Sequence, residues 1–111
     1  VAMLIETHGQ QMDVTPALRE YVETKLGRLS RLYDPPLQVR TQLSIDKPDH
    51  VAEATVSVAG KTLHTDARAV DMYAAIDLLA DKLDRMLVKE KKKMIDQHRR
   101  GGNPVRDGEF G

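Results

Sequence analysis

No cysteine occurs among the 111 residues. A disulfide framework is therefore excluded, a thiol nucleophile is excluded with it, and the composition fits a reducing intracellular setting. No apolar run approaches the ~18 residues that a membrane-spanning helix needs, and the N-terminus lacks a basic segment leading into an apolar one. The expectation is a soluble, cytoplasmic protein without a membrane partner. Val1-Ala2, ahead of Met3, is set aside as a scar or an alternative start. A chain of this length makes one domain with a modest core.

Net charge is also lacking, with 17 Lys and Arg against 17 Asp and Glu. Taken as an average, that speaks against a generic nucleic-acid binder. Charge is nevertheless segregated: residues 1 to 70 hold eight basic and nine acidic side chains, whereas 82 to 100 hold eight basic and three acidic. A local field of this kind steers a polyanion, although a Lys-rich helix end also complements the helix dipole and aids solubility.

Catalytic machinery is the third absence. No glycine-rich phosphate loop follows a strand, and no serine sits in a nucleophile elbow. His8, His50, His64 and His98 show no ligand spacing. His8 and His64 could share a metal only if their strands were neighbours. Asp77, Asp81 and Asp84 form an i, i+4, i+7 row, but hard-cation sites need ligands from several elements, so a solvated acidic face is the expectation. The chain reads as a non-enzyme without metal, cofactor or small-molecule substrate.

What is present is organised around residues 71 to 100, thirty residues free of Gly and Pro and followed by Gly101-Gly102. The spacing predicts one long helix. At about 100° per residue, Met72, Ile76, Leu79, Ala80, Leu83, Met86, Leu87 and Met94 share one arc, the core face. The acidic row follows around the helix. Lys82, Arg85, Lys89, Lys92, Lys93 and Arg100 come next within roughly 100°, while Lys91 falls on the opposite side and reads as solvated. At about 1.5 Å per residue the helix is roughly 45 Å long, so its basic end should overhang the body.

Upstream, Met3 to His8 reads as a strand, and Thr15-Pro16 as the start of a helix with an N-cap and a proline where its missing N–H costs nothing. Leu18, Tyr21, Val22, Leu26, Leu29 and Tyr33 then recur at helical spacing, predicting one helix to about Tyr33 that stops before Pro35-Pro36. Gly27 falls in its middle, where close helix packing is the expected reason for it. Leu37 to Lys47 and Val51 to Ala59 alternate as strands, and Ala59-Gly60 turns into a last strand from Lys61 to Ala67. The order β-α-β-β-β-α predicts an α+β two-layer sandwich, a four-stranded sheet with both helices on one face. Residues 101 to 111, rich in Gly and polar side chains, read as a flexible tail. Phe110 in that tail is either incidental or an anchor on binding.

The run Asp71-Met72-Tyr73-Ala74-Ala75-Ile76-Asp77, followed by Asp81-Lys82-Leu83 and Arg85, closely resembles the signature of the bacterial ribosome hibernation promoting factor and ribosome-associated inhibitor (protein Y) family. Thr15-Pro16-Ala17-Leu18-Arg19 with Lys25-Leu26 and Leu29 is similar to that family's first helix, and Met3-Leu4-Ile5 and Ala52-Glu53-Ala54-Thr55 sit where its strands would be. The resemblance covers residues 3 to 100 and implies a ribosome-binding α+β module similar to double-stranded-RNA-binding domains. Its implied partner is the 30S subunit, free or in 70S, bound at the 16S rRNA of the decoding region, where mRNA and the A- and P-site tRNAs lie. Translation would be silenced in stress or stationary phase without turnover, by a protein that is monomeric off the ribosome.

The family's basic helix positions match Lys25 and Arg28 on the first helix and Lys82, Arg85, Lys89 and Lys93 on the last, and Lys92 joins them through its place on the basic stripe. Such side chains neutralise phosphates and release counterions, and a groove between two basic helix edges reads RNA shape rather than base sequence. Only Tyr21, Tyr33, Tyr73 and Phe110 could stack on bases, Tyr73 being nearer a packing position. The long family form's dimerisation domain has no counterpart in this length. Arg99-Arg100 with Val105-Arg106-Asp107-Gly108-Glu109-Phe110 resembles the start of an inhibitor tail, without the acidic run that can follow it, and Lys91-Lys92-Lys93 resembles the short dimer-promoting form; the reading leans to inhibition without direct dimerisation. Two alternatives remain, another RNA-binding or ribosome-assembly factor of the same fold, and a protein-interaction module using Met94 and Ile95 on the overhanging helix.

Overall fold

The structure is a computed structural model that describes residues 3–32, 37–58 and 60–102, and the side chains of all of these except 32 and 94–102. In chain order the elements are β1 (Met3–Gly9), α1 (Pro16–Leu26), α2 (Leu29–Leu32), β2 (Leu37–Asp46), β3 (Asp49–Val58), β4 (Lys61–Ala69) and α3 (Met72–Gly102). The sheet order is β1-β2-β3-β4. β1 and β2 run parallel, Met3 opposite Leu37, because a helix separates them; the two hairpins that follow are antiparallel. Residues Lys47 and Pro48 join Asp46 to Asp49 through a cis peptide, and Gly60, at φ 79°, takes the left-handed conformation in the link from Val58 to Lys61.

Alternation along β2 and β3 places Val39, Leu43, Ala52 and Val56 under the helices, whereas Gln38 and Arg40 face solvent. Leu18, Val22 and Leu26 of α1 and Ile76, Leu79, Leu83 and Leu87 of α3 complete the same core, so both helices cover one face. Each such leucine or valine contributes about 1.5–3 kcal/mol by leaving water. The helix starts follow from their caps. Thr15 Oγ1 accepts the Leu18 N–H at 3.1 Å with Pro16 just inside α1, and Asp71 Oδ1 accepts the Ala74 N–H at 2.8 Å ahead of α3.

The first helical segment is broken where one continuous helix is predicted. Gly27 caps the C-terminus of α1, and bonding shifts from the i−4 pattern (Gly27 N–H to Glu23 O, 2.9 Å) to a tighter i−3 pattern (Arg31 N–H to Arg28 O, 3.0 Å). Ser30 reinforces the break by donating its hydroxyl to Gly27 O at 3.0 Å. Close packing against another helix is not the reason for the glycine. A Cβ there would lie 2.7 Å from Glu23 O of its own segment. At the far end α3 continues past Arg100 through Gly102. Tyr33, Pro35, Pro36 and the remaining tail, 103–111 with Phe110, lie outside the described residues.

Candidate nucleic-acid interface

Three stripes run along α3, as its periodicity predicts. Met72, Ile76, Leu79, Leu83 and Leu87 are buried, joined by Ala75, and Ala80 and Met86 pack partly against them; the Met94 side chain lies outside the described set. On one flank stand Lys82, Arg85, Lys89, Lys92 and Lys93, all exposed. Lys82 donates to Asp66 O at 2.6 Å, which places this flank beside β4. Among the described residues, Arg85, Lys89 and Lys92 meet no carboxylate at ion-pair distance. Five cations along one flank with little internal neutralisation can draw the phosphates of a polyanion. Lys91 is exposed away from them.

The opposite flank of α3 faces α1 and has different chemistry. Lys25 and Arg28 come together there, in a cleft of about 280 Å³ that they share with Asp77, Ala80, Asp81 and Asp84. Lys25 Nζ lies 3.5 Å from Asp77 Oδ1 and 5.4 Å over the Tyr21 ring, and the Tyr21 hydroxyl donates to the same oxygen at 2.7 Å. That hydrogen bond, helped by burial, raises the Tyr21 phenol above its ordinary range. Burial foremost, then the Asp81 charge, pushes the Asp84 carboxyl up, with Arg28 opposing. The groove between the helices is consequently not lined by two basic edges. Its α3 wall is the acidic row, which lies between the core arc and the basic stripe and so turns toward α1. Lys25 and Arg28 are thereby separated from the other five cations.

Stacking groups are few. Tyr73 packs edge-on against Tyr21, with ring centroids 4.9 Å apart at 86°, and is 43% exposed, so it bridges the helices while keeping one edge in solvent. On the open face of the sheet a shallow polar hollow of about 230 Å³ is lined by Glu6, Gln38, Arg40, Thr55, Ser57 and Thr62, without an aromatic ring. That hollow therefore offers no base-stacking platform of the kind single-strand binders use. His8 and His64 stand on β1 and β4, the two edge strands, and are not neighbours. Each lies beside a glutamate instead, His8 with Glu6 at 3.5 Å and His64 with Glu53 at 3.8 Å. Among the described residues no three His, Asp or Glu side chains converge as a metal site, and no helix is long and apolar enough to cross a membrane.

Sequence reasoning missed Glu90. This carboxylate is buried on the apolar arc one turn beyond Leu87 and meets Lys61 at 3.1 Å and Lys93 at 3.6 Å. The signal was available: a single acid on a core arc, next to lysines, requires a buried partner.

Comparison with known proteins agrees with this fold. A family model described as sigma 54 modulation protein / S30EA ribosomal protein matches residues 5–95. A protein of Azotobacter vinelandii named ribosome hibernation promoting factor is 47% identical over 95 residues, covering 86% of this chain and 89% of that protein. The Escherichia coli K12 protein of the same name is 42% identical over 96 residues, covering 86% of this chain and all of that one. Among solved structures, the N-terminal domain of Thermus thermophilus Protein Y matches with a TM-score of 0.72 at 31% identity, over 80% of this chain and 98% of that one. A ribosomal subunit interface protein from Coxiella burnetii matches with a TM-score of 0.73 at 34% identity, over 81% and 99%.

Proposed function

Because the chain belongs to the sigma 54 modulation protein / S30EA ribosomal protein family, we propose that it is a ribosome hibernation factor that occupies the decoding region of the 30S subunit and silences translation. It acts in the cytoplasm by stoichiometric binding, without turnover or cofactor, and is monomeric off the ribosome. The observation that carries this reading is the basic flank of α3: Lys82, Arg85, Lys89, Lys92 and Lys93 are exposed in one line. Rigid placement on a helix gives these cations fixed spacing, which suits the phosphate backbone of folded 16S rRNA better than a flexible tail does. Lys25 and Arg28 supply a smaller and partly neutralised contribution from the α1 side. Expression in stress or stationary phase, and inhibition without direct ribosome dimerisation, belong to the same proposal.

Co-sedimentation with purified 30S and 70S particles over a salt series, with mRNA and initiator tRNA as competitors, tests it. The expected result is one copy bound per 30S, weakening steeply with salt and displaced by tRNA. Absence of binding at low salt would overturn the reading. A second reading, docking of a partner protein, is favoured by Leu78 and Val88, about half exposed on the outside of α3, and by the shallow apolar hollow formed by Asp84, Arg85, Val88 and Lys89. Salt-insensitive binding to a protein would select that one.

A further inference from the structure

The β3–β4 hairpin carries a cation outside the α3 stripe. Lys61, the first residue of β4, donates to Glu90 Oε1 at 3.1 Å, and Lys93 lies 3.6 Å from Oε2 of the same carboxylate. Glu90 itself is 7% exposed, whereas the Lys61 and Lys93 side chains are 53% and 63% exposed. One buried carboxylate thus gathers two accessible ammonium groups from different elements. Its burial is costly unless both oxygens are met by charge, and they are. The Lys61 hydrogen bond, against the opposing effect of burial, holds the Glu90 carboxyl below its ordinary range.

Two consequences follow from this clamp. A free lysine side chain loses up to about 2 kcal/mol of rotamer entropy when it is fixed on a ligand, and here part of that loss is met before any ligand arrives. Each ammonium has three N–H donors. Glu90 engages a face of each, which leaves the remaining donors for phosphate oxygens. The clamp also sits where the described burial of α3 ends, since Lys91, Lys92 and Lys93 beyond it are exposed.

We infer that the polyanion-binding surface continues from α3 onto the β3–β4 hairpin through Lys61, and that Glu90 is the positioning residue that holds Lys61 and Lys93 in place to meet a phosphodiester backbone. This rests on the reading that the α3 flank binds ribosomal RNA. It is tested with K61Q, E90Q, the K61Q/E90Q pair and K82E/R85E/K89E, each assayed by 30S co-sedimentation over a salt series and by thermal melting. K61Q should melt below the parent, because Glu90 loses its hydrogen-bonded cation, yet keep the parent's far-UV circular dichroism at the assay temperature, bind roughly fivefold more weakly, and flatten the slope of log affinity against log salt by about one. E90Q should also weaken binding, although it removes a negative charge near a polyanion, and most of its effect should vanish in the K61Q background. An unchanged slope for K61Q, with binding lost in the triple variant, would confine the surface to α3 and reduce the clamp to a structural latch. Tighter binding by E90Q would refute positioning. Parent-like binding by the triple variant would overturn the underlying reading, and this inference with it.

Discussion

The two flanks of α3 carry charge of opposite sign and do different things. On the α1 side, cations of α1 stand across a cleft from carboxylates of α3: Asp77 takes both the Tyr21 hydroxyl and the Lys25 ammonium, and Arg28 lines the cleft with Asp81 and Asp84. On the β4 side, the cations line up with solvent in front of them and few carboxylates beside them. One flank spends its charge on holding two helices together, and the other leaves it for a partner. Neutrality of the whole chain therefore says little about binding, because the balance is struck between flanks rather than within each.

Breaking the basic flank should have the largest effect. K82E/R85E/K89E is expected to lower 30S affinity by roughly 100-fold or more, read by co-sedimentation, while its far-UV circular dichroism stays that of the parent. The comparison sharpens with single neutralisations: K89Q should flatten the salt slope by about one, whereas K25Q should change it by less than half of that, because Asp77 already engages Lys25. Asp77→Ala should act on the other property. Losing the shared acceptor of Tyr21 and Lys25 is expected to lower Tm by roughly 3 °C with 30S affinity unchanged or slightly raised.

Titration gives the smallest effects and opposite signs on the two sides. Asp84 has a raised folded-state value, so its protonated form favours folding. That stability is present below the unfolded value of about 3.9 and is lost as pH rises through the folded one. Asp84→Asn should thus raise Tm by roughly 1 °C at neutral pH, a gain that fades in acid. Glu90 is lowered, so its contribution is present above the unfolded value and is lost as pH falls through the folded one. E90Q should accordingly destabilise at neutral pH and converge on the parent in acid, as thermal melts at pH 7 and pH 3 would show.

Much of this fold is legible in the sequence. Period-two alternation in β2 and β3 predicts the faces of the sheet, and Thr15-Pro16 and Asp71 mark helix starts whose capping bonds are present. The three stripes of α3 follow from a 3.6-residue period alone. The break at Gly27 was less legible, because Leu26 and Leu29 are both fully buried and keep helical spacing across it. Hydrophobic spacing records which side is apolar and not which hydrogen-bond pattern the backbone adopts between two buried positions.

The site divides in the same way. That α3 carries a cation stripe, with an acidic row between it and the next apolar turn, is determined by residue order and helix geometry. Which stripe would face α1, and therefore which cations would be neutralised, was decided only when both helices docked on the sheet. Docking brought Lys25 to Asp77, Tyr21 to Tyr73 and Lys61 to Glu90, pairs separated by 29 to 52 positions. A local period constrains neighbours three or four residues apart, but such distant pairs are set by how the core closes.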